Sequence, residues 1–303
     1  MAIDLSKYLV IGISSRALFD LTLEDNLYNT EGLEAYERYQ LDHENDLLRP
    51  GAGFPLVKAI LRLNGEVPAK RKAEVVIMSR NSAETSLRIF NSITNYDLDI
   101  TRAVLSGGAK LAGYLHAFSV DLFLSLYEDD VQAAIDAGVA AALLYAKPEN
   151  PAEDEIDQIR IAFDGDAVLF SDDSEKIYQT QGLEAFLKHE KENALKPLPA
   201  GPFAKLAKTL SYLQAEHKDG KPPIRTALVT ARNSPAHERV IRTLREWDVD
   251  LDETFFLGGM PKGEVLKAFR PHIYFDDQTT HCESAARYVP TGRVPHVGRS
   301  NND

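Results

Sequence analysis

Short apolar runs, each stopped by small, polar or acidic residues, recur through the chain and set its frame. In the first half they fall at residues 8–13, 74–78, 104–105 and 120–126; in the second at residues 159–163, 226–230, 254–257 and 272–275. Runs this short, rich in Val, Ile, Leu and Phe, read as strands buried on both faces rather than as helices. Between them lie stretches with helical spacing, such as residues 32–36 and 54–61. The latter carries Pro55 in its first turn, where a missing N–H costs nothing. Strands alternating with helices predict an α/β fold, with a mainly parallel Rossmann-like sheet and helices on both faces.

The pattern also repeats. Tyr28-Asn29-Thr30-Glu31-Gly32-Leu33-Glu34-Ala35 recurs 150 positions on as Tyr178-Gln179-Thr180-Gln181-Gly182-Leu183-Glu184-Ala185, with six of eight residues identical. Arg80-Asn81-Ser82 recurs as Arg232-Asn233-Ser234, Gly107-Gly108 as Gly258-Gly259, and Asp129-Asp130 as Asp276-Asp277. Offsets this steady predict an internal duplication. One α/β unit spans residues 1–150 and a second spans 151–303, joined near residues 147–157, where prolines and acids cluster. The halves differ in chemistry. At these offsets Asp164 faces Ser14, Asp166 faces Arg16, Thr230 faces Met78 and Lys262 faces Leu111. The second half is therefore expected to hold the site, and the first to be a degenerate partner with a structural or regulatory role.

Composition narrows the class. A chain of 303 residues, 44% apolar, has material for two cored domains. A net charge of −12 argues against wrapping nucleic acid, which needs surplus Lys and Arg, but leaves room for a small anionic substrate at a local cationic site. The single Cys282 fits a reducing compartment. The N-terminal stretch does not read as a signal peptide, and the longest apolar stretch, residues 137–146, is too short to span a bilayer. These features predict a cytoplasmic protein without a membrane partner; a homo-oligomer is left open.

Four stretches carry candidate chemistry. The run Ile159–Phe163 ends in Asp164-Gly165-Asp166, and ligands of open α/β sheets sit beyond the carboxyl ends of strands. Gly165 lets the backbone approach a ligand closely. The next strand ends in Thr230-Ala231-Arg232-Asn233, offering a hydroxyl, backbone N–H groups and a cation to an anion. Lys262 follows a Gly/Pro loop at a helix start, where the dipole disfavours a cation unless an anion pairs with it. Asp276-Asp277 closes a last strand. Each stretch alone also reads as an acidic turn, a β-former or a solvated lysine. On one sheet edge, the two acidic pairs would converge into an oxygen-rich Mg²⁺ site.

The ordered set Asp164-x-Asp166, Thr230, Lys262, Asp276-Asp277 resembles the haloacid dehalogenase (HAD) superfamily of phosphohydrolases. More closely, the chain resembles the AMP-preferring, class-one cytosolic 5′-nucleotidases. The residues carrying this are 14–20, 163–173, 228–232, Pro271-His272-Ile273 and 275–278. The resemblance implies Mg²⁺-dependent hydrolysis of nucleoside 5′-monophosphates on a HAD-like fold. Asp164 would be the nucleophile and Asp166 the general acid and base. Thr230, Gly165, Ala231, Arg232 and Asn233 would hold phosphate, and Lys262 would neutralise charge. Asp164, the Asp166 backbone carbonyl, Asp276 and Asp277 would ligate the metal. It also implies a small helical cap over residues 171–223, where Phe186 and His189-Glu190-Lys191-Glu192-Asn193, with Phe170 just before it, are candidates for base recognition. The charged run reads more readily as a solvated helix face, and Phe170 as core. Three alternatives stand beside this reading: a HAD phosphatase of another phosphorylated metabolite, a phospho-acceptor switch, and an inactive binding protein, which the intact set in the second half disfavours. The switch is disfavoured because its acidic pair would precede the acceptor rather than follow it.

Overall fold

The computed structural model describes residues 3–65, 72–145, 158–216 and 222–298. The chain divides into two compact units, residues 1–146 and 147–303. The joining segment anticipated at residues 147–157 lies outside the described residues.

In the first unit the apolar runs form β1 (Leu9–Ile13), β2 (Ala73–Ser79), β3 (Arg102–Leu105), β4 (Leu122–Ser125) and β5 (Ala140–Leu144). They lie parallel in the order β3-β2-β1-β4-β5. In the second unit β6 (Ile159–Phe163), β7 (Ile224–Thr230), β8 (Glu253–Phe256), β9 (Ile273–Asp276) and β10 (Thr291–Arg293) take the same arrangement, β8-β7-β6-β9-β10, again parallel. In both, the order reverses beside the first strand, so β1 and β6 flank the crevice where such sheets bind ligands. Every residue of β1, β2, β4 and β9 is buried, as continuous apolar runs require. The fifth strand of each sheet is not distinguished by sequence: β5 lies in an Ala-rich run and β10 reads as polar loop.

The repeat extends to details. The helices Thr22–Glu31 and Leu33–Asp42 break at Gly32 (φ 87°), and the helix Asp173–Glu192 kinks at Gly182 (φ 83°). These glycines are the matched pair of the repeated octapeptide, and both hold a backbone shape that L-residues rarely adopt. Phe54–Leu61 is a helix with proline in its first turn, as the pattern predicts. Most of the segment read as a cap is helical, over Asp173–Glu192 and Ala204–Ala215.

Strand alternation then divides the second core. Phe163, Phe203 and Phe275 pack together on one side of the sheet, with ring centroids 5.8 Å apart for Phe163–Phe275 and 4.7 Å for Phe203–Phe275. Ala162, Val229, Leu266, Phe269 and Tyr274 form a separate cluster. Each fully buried phenyl contributes about 2–3 kcal/mol. Tyr274 and Asp276, two apart on β9, project to one face.

Candidate active site

β6 ends at Phe163, and the chain turns at once. The Asp164 N–H donates to the Phe275 carbonyl (2.7 Å), tying the turn to β9. Residues Gly165–Leu169 form one irregular turn, with Asp166 extended and Ala167 at φ 59°. A left-handed alanine is strained, and such strain persists where surrounding structure fixes it. Here the Phe203 N–H caps the Val168 carbonyl (3.0 Å) and the Gly201 N–H caps that of Leu169 (2.9 Å). A Cβ at Gly201 would sit 2.4 Å from the Phe170 carbonyl oxygen and 2.5 Å from that of Val168, so only glycine fits. A Cβ at Gly165 would meet the Thr230 hydroxyl at 3.1 Å.

Asp164, Asp276 and Asp277, all buried, bring carboxylate oxygens within 4.8 Å of one another. Lys262, also buried, binds them together. Its Nζ donates to Asp276 Oδ2 (2.7 Å) and to the Tyr274 hydroxyl (2.9 Å). It also stands 2.8 Å from Asp164 Oδ1, an ion-pair distance at an angle that makes no hydrogen bond. The Tyr274 hydroxyl donates to Asp276 Oδ2, and the Gln278 N–H donates to Asp276 Oδ1 (2.9 Å). His281 stands 3.4 Å from Asp276, and His296 stands 3.3 Å from Asp277.

These neighbours split the acids. Burial alone would raise Asp276, but the Lys262 charge, with His281 and the Tyr274 hydroxyl, holds it well below the usual carboxylate range. Burial pushes Asp164 up against the pull of Lys262, and the Asp276 and Asp277 charges push the same way. Burial would lower Lys262, but the two carboxylates outweigh it and hold it protonated.

Ionised together, three carboxylates against one ammonium would leave two negative charges in a buried site, which is why burial pushes Asp164 towards its neutral form; Asp277 Oδ1 has no hydrogen-bond partner. An all-oxygen donor set short of two positive charges fits a hard divalent cation such as Mg²⁺.

The remaining predicted residues fall in distinct places. Thr230 ends β7 and its hydroxyl accepts from the Arg232 N–H (3.2 Å). Asp166 stands apart from the three-acid group, its carboxylate gripped by the Arg232 guanidinium at 2.8 and 2.6 Å. The ligand role foreseen for Asp166 fell to its backbone carbonyl, which this grip leaves untouched. Asn233 packs beside Gly258, and Ala231 is exposed on the loop after β7. Phe170 is fully buried, 5.6 Å from Trp247, in the core. His189 is half-buried, 3.2 Å from Glu190.

Two sequence alignments between the halves need correcting. Backbone bonds set the equivalences. Leu257 N–H donates to Thr230 O as Ser106 N–H does to Ser79 O, each at 2.9 Å. Arg232 N–H donates to the Thr230 hydroxyl as Asn81 N–H does to that of Ser79, each at 3.2 Å. On this register Thr230 faces Ser79, not Met78, so the hydroxyl survives in the first unit, and Arg232 faces Asn81, not Arg80. Likewise Tyr127 N–H donates to Ser125 Oγ (3.1 Å) as Gln278 N–H does to Asp276. Asp276 and Asp277 thus face Ser125 and Leu126. Asp129 and Asp130 lie in the first turn of helix Glu128–Asp136, and Asp130 pairs with Arg80. The matching dipeptides were a register slip of a few residues.

Sequence reasoning missed Tyr274, Glu175 and Arg239, and gave Glu190 another place. Strand alternation from Asp276 points to Tyr274. Glu190 was read within a solvated charged run, yet it is fully buried between Arg232 and Arg239. Glu175, on the helix over the site, accepts from the Gln278 side chain (3.0 Å) and keeps Oε2 buried without a hydrogen bond.

With this geometry in place, comparison with known proteins is informative. A family profile described as 5′-nucleotidase matches residues 1–301. Human cytosolic 5′-nucleotidase 1B is 39% identical over 289 residues, covering 92% of this chain and 47% of its own. The chain thus spans about half the length of that curated relative. A chain from the structure of a Pnkp1/Rnl/Hen1 complex is 11% identical with a TM-score of 0.34, covering 96% of this chain and 97% of its own, too low a score to carry an argument.

Proposed function

Because the chain belongs to the 5′-nucleotidase family, we propose that its second unit hydrolyses nucleoside 5′-monophosphates of the AMP type in the cytosol, with Mg²⁺ and on a HAD-like scaffold. The observation that carries this reading is the buried Asp164–Lys262–Asp276–Asp277 cluster at the carboxyl edge of one parallel sheet. It supplies a nucleophile, a fixed cation and oxygen ligands in one place.

Asp164, Asp276 and Asp277 would hold the cation, which when bound supplies the charge that lets an anionic substrate approach anionic side chains. An Asp164 carboxylate oxygen attacks phosphorus and the bond to the 5′-oxygen breaks. Asp166, a carboxylate in its pair with Arg232, takes up a proton when the phosphate dianion enters beside it and gives that proton to the leaving oxygen. The aspartyl-phosphate then yields to water, which passes a proton to Asp166 as the acyl-phosphate P–O bond breaks and phosphate leaves. Lys262 stays protonated throughout and offsets charge on the transferring group. Thr230, with N–H groups from the turns at Gly165 and Ala231, holds phosphate oxygens. The first unit, lacking the acids, serves as scaffold or regulator.

The test is phosphate release from a panel of nucleoside monophosphates, sugar phosphates and other phosphomonoesters, with and without Mg²⁺. Acid quenching and mass spectrometry should find the phosphate on Asp164. Release confined to non-nucleotide esters would sink the nucleotide reading. A long-lived phospho-form without turnover would replace hydrolysis with a phospho-acceptor switch.

A further inference from the structure

Two buried arginines converge on one buried glutamate in the second unit, and the first unit keeps only one of them. Arg239 donates from Nη1 to Glu190 Oε1 (2.9 Å) and from Nε to the Lys196 carbonyl (2.9 Å). Its counterpart Arg88 donates in the same way to Glu24 Oε1 (2.6 Å) and to the Asp46 carbonyl (2.9 Å). This arginine–carboxylate pair belongs to the scaffold, since both units have it. The carboxylate, however, has moved. Glu24 faces Ser174, and Gln40 faces Glu190. In the second unit Ser174 has become a donor to Glu190 Oε1 (2.8 Å).

The move changes what the carboxylate reaches. From the Glu190 position its second oxygen accepts from Arg232 Nη1, whose counterpart in the first unit is Asn81. Arg232 is 2% exposed at its side chain and its guanidinium carbon lies 5.4 Å from the Phe186 ring centroid. Its Nε and Nη2 grip Asp166. A guanidinium holding one carboxylate can swing with it; one anchored at its far end by a second buried carboxylate cannot. Buried ion networks contribute little net stability compared with apolar packing, so the geometry they fix is the better account of their presence.

We propose that Glu190 is a positioning residue. Through Arg232 it fixes the Asp166 carboxylate where the leaving oxygen must collect its proton. The inference rests on the phosphohydrolase reading above and adds a residue on the helix that kinks at Gly182.

The experiment compares AMP, whose alkoxide leaving group needs a proton, with 4-nitrophenyl phosphate, whose leaving group does not. In Glu190→Gln, kcat on AMP should fall about 10- to 100-fold with KM changed less than about threefold, while 4-nitrophenyl phosphate turnover falls far less. The double variant Ser174→Glu with Glu190→Gln recreates the first unit's arrangement. It should return the thermal midpoint towards that of the unmodified chain while the AMP-to-aryl ratio stays at least about tenfold depressed. A merely structural Glu190 predicts the opposite: equal losses on both substrates, or a ratio restored by the double variant, and either result overturns the proposal. Failure of the underlying reading is separate, since it appears as no phosphate release from the unmodified chain.

Discussion

The two units are one backbone with and without a charge set. They share strand order, the tie from the first strand's end to the fourth strand, and the helix break at glycine. Where the second has Asp164, Lys262, Asp276 and Asp277, the first has Ser14, Leu111, Ser125 and Leu126. Three acids and their lysine are absent together, so no charge is buried at these four positions. The turn has relaxed as well. Ser15–Leu18 is regular helix, and the Ser14 hydroxyl caps it by accepting from the Ala17 N–H (3.2 Å). In the second unit Asp164 makes no such cap, and Ala167 sits in the left-handed region. The sheet does not need the charges; the irregular turn and the uncapped carboxylate go with the charge set.

The largest expected effect breaks that symmetry directly. Asp164→Asn should reduce turnover by roughly 10³-fold or more with the fold kept, since the amide preserves shape and loses the nucleophile. Ser14→Ala, its positional twin, should leave turnover within about twofold and cost roughly 0.5–1 kcal/mol for the lost cap. Phosphate release and thermal unfolding, measured on both, decide. Lost turnover in a folded Ser14→Ala chain would mean that the first unit takes part in the chemistry.

Metal removal comes next. Chelation should abolish activity and added Mg²⁺ should restore it. The same titration should raise the thermal midpoint, since a ligand at 100 times its dissociation constant adds about 2.7 kcal/mol. Asp277→Asn should weaken both responses, because Oδ1 of Asp277 is a buried oxygen of the three-acid group that has no hydrogen bond. A midpoint indifferent to Mg²⁺ would remove the metal from the site.

A graft sharpens the comparison further. Lys262→Leu alone leaves buried carboxylates without their cation and should cost roughly 3–5 kcal/mol in the metal-free chain. Adding Asp164→Ser, Asp276→Ser and Asp277→Leu installs the first unit's neutral set and should recover most of that loss, giving a stable, inactive protein. Denaturant unfolding of the two variants is the check. A quadruple variant no more stable than the single one would show that the second scaffold has come to depend on its charges.

How much of this was legible in the sequence depends on the range of each signal. Ile159–Phe163 and Phe54–Leu61 were readable because burial and a proline constrain them locally. The acids at residues 164, 276 and 277 were readable because strand ends punctuate apolar runs. Thr291–Arg293 was not, since its place depends on pairing with β9 rather than on its own composition. The register between halves slipped because a matching dipeptide carries no record of hydrogen bonding: Asp129-Asp130 looked like Asp276-Asp277 but begins a helix. Glu190 was hidden because a charged run on a helix usually faces water, and only the tertiary fold brings Arg232 and Arg239 to it.

The smallest effect concerns Glu175, whose positional twin Asp25 pairs with Arg16 at 2.8 Å. In the second unit Asp166 replaces that arginine, so Glu175 faces negative charge instead. Burial raises its pKa to about 7 from 4.5, and the Asp277 and Asp166 charges add to the shift. A carboxyl group raised in the folded state holds its proton more tightly there than in the unfolded chain. Its unfavourable contribution is therefore full above pH 7, fades as pH falls through 7, and vanishes below about 4.5. Glu175→Gln keeps an oxygen for the Gln278 and Gln179 side chains and removes the charge. In the metal-free protein it should stabilise by about 1 kcal/mol at pH 8, with water screening the rest, and by nothing at pH 4.5. Saturating Mg²⁺ should shrink the gain at pH 8 by offsetting the charge of Asp277. Thermal midpoints of both chains across that pH range measure it. A gain independent of pH would assign the effect to packing and not to the carboxylate's charge.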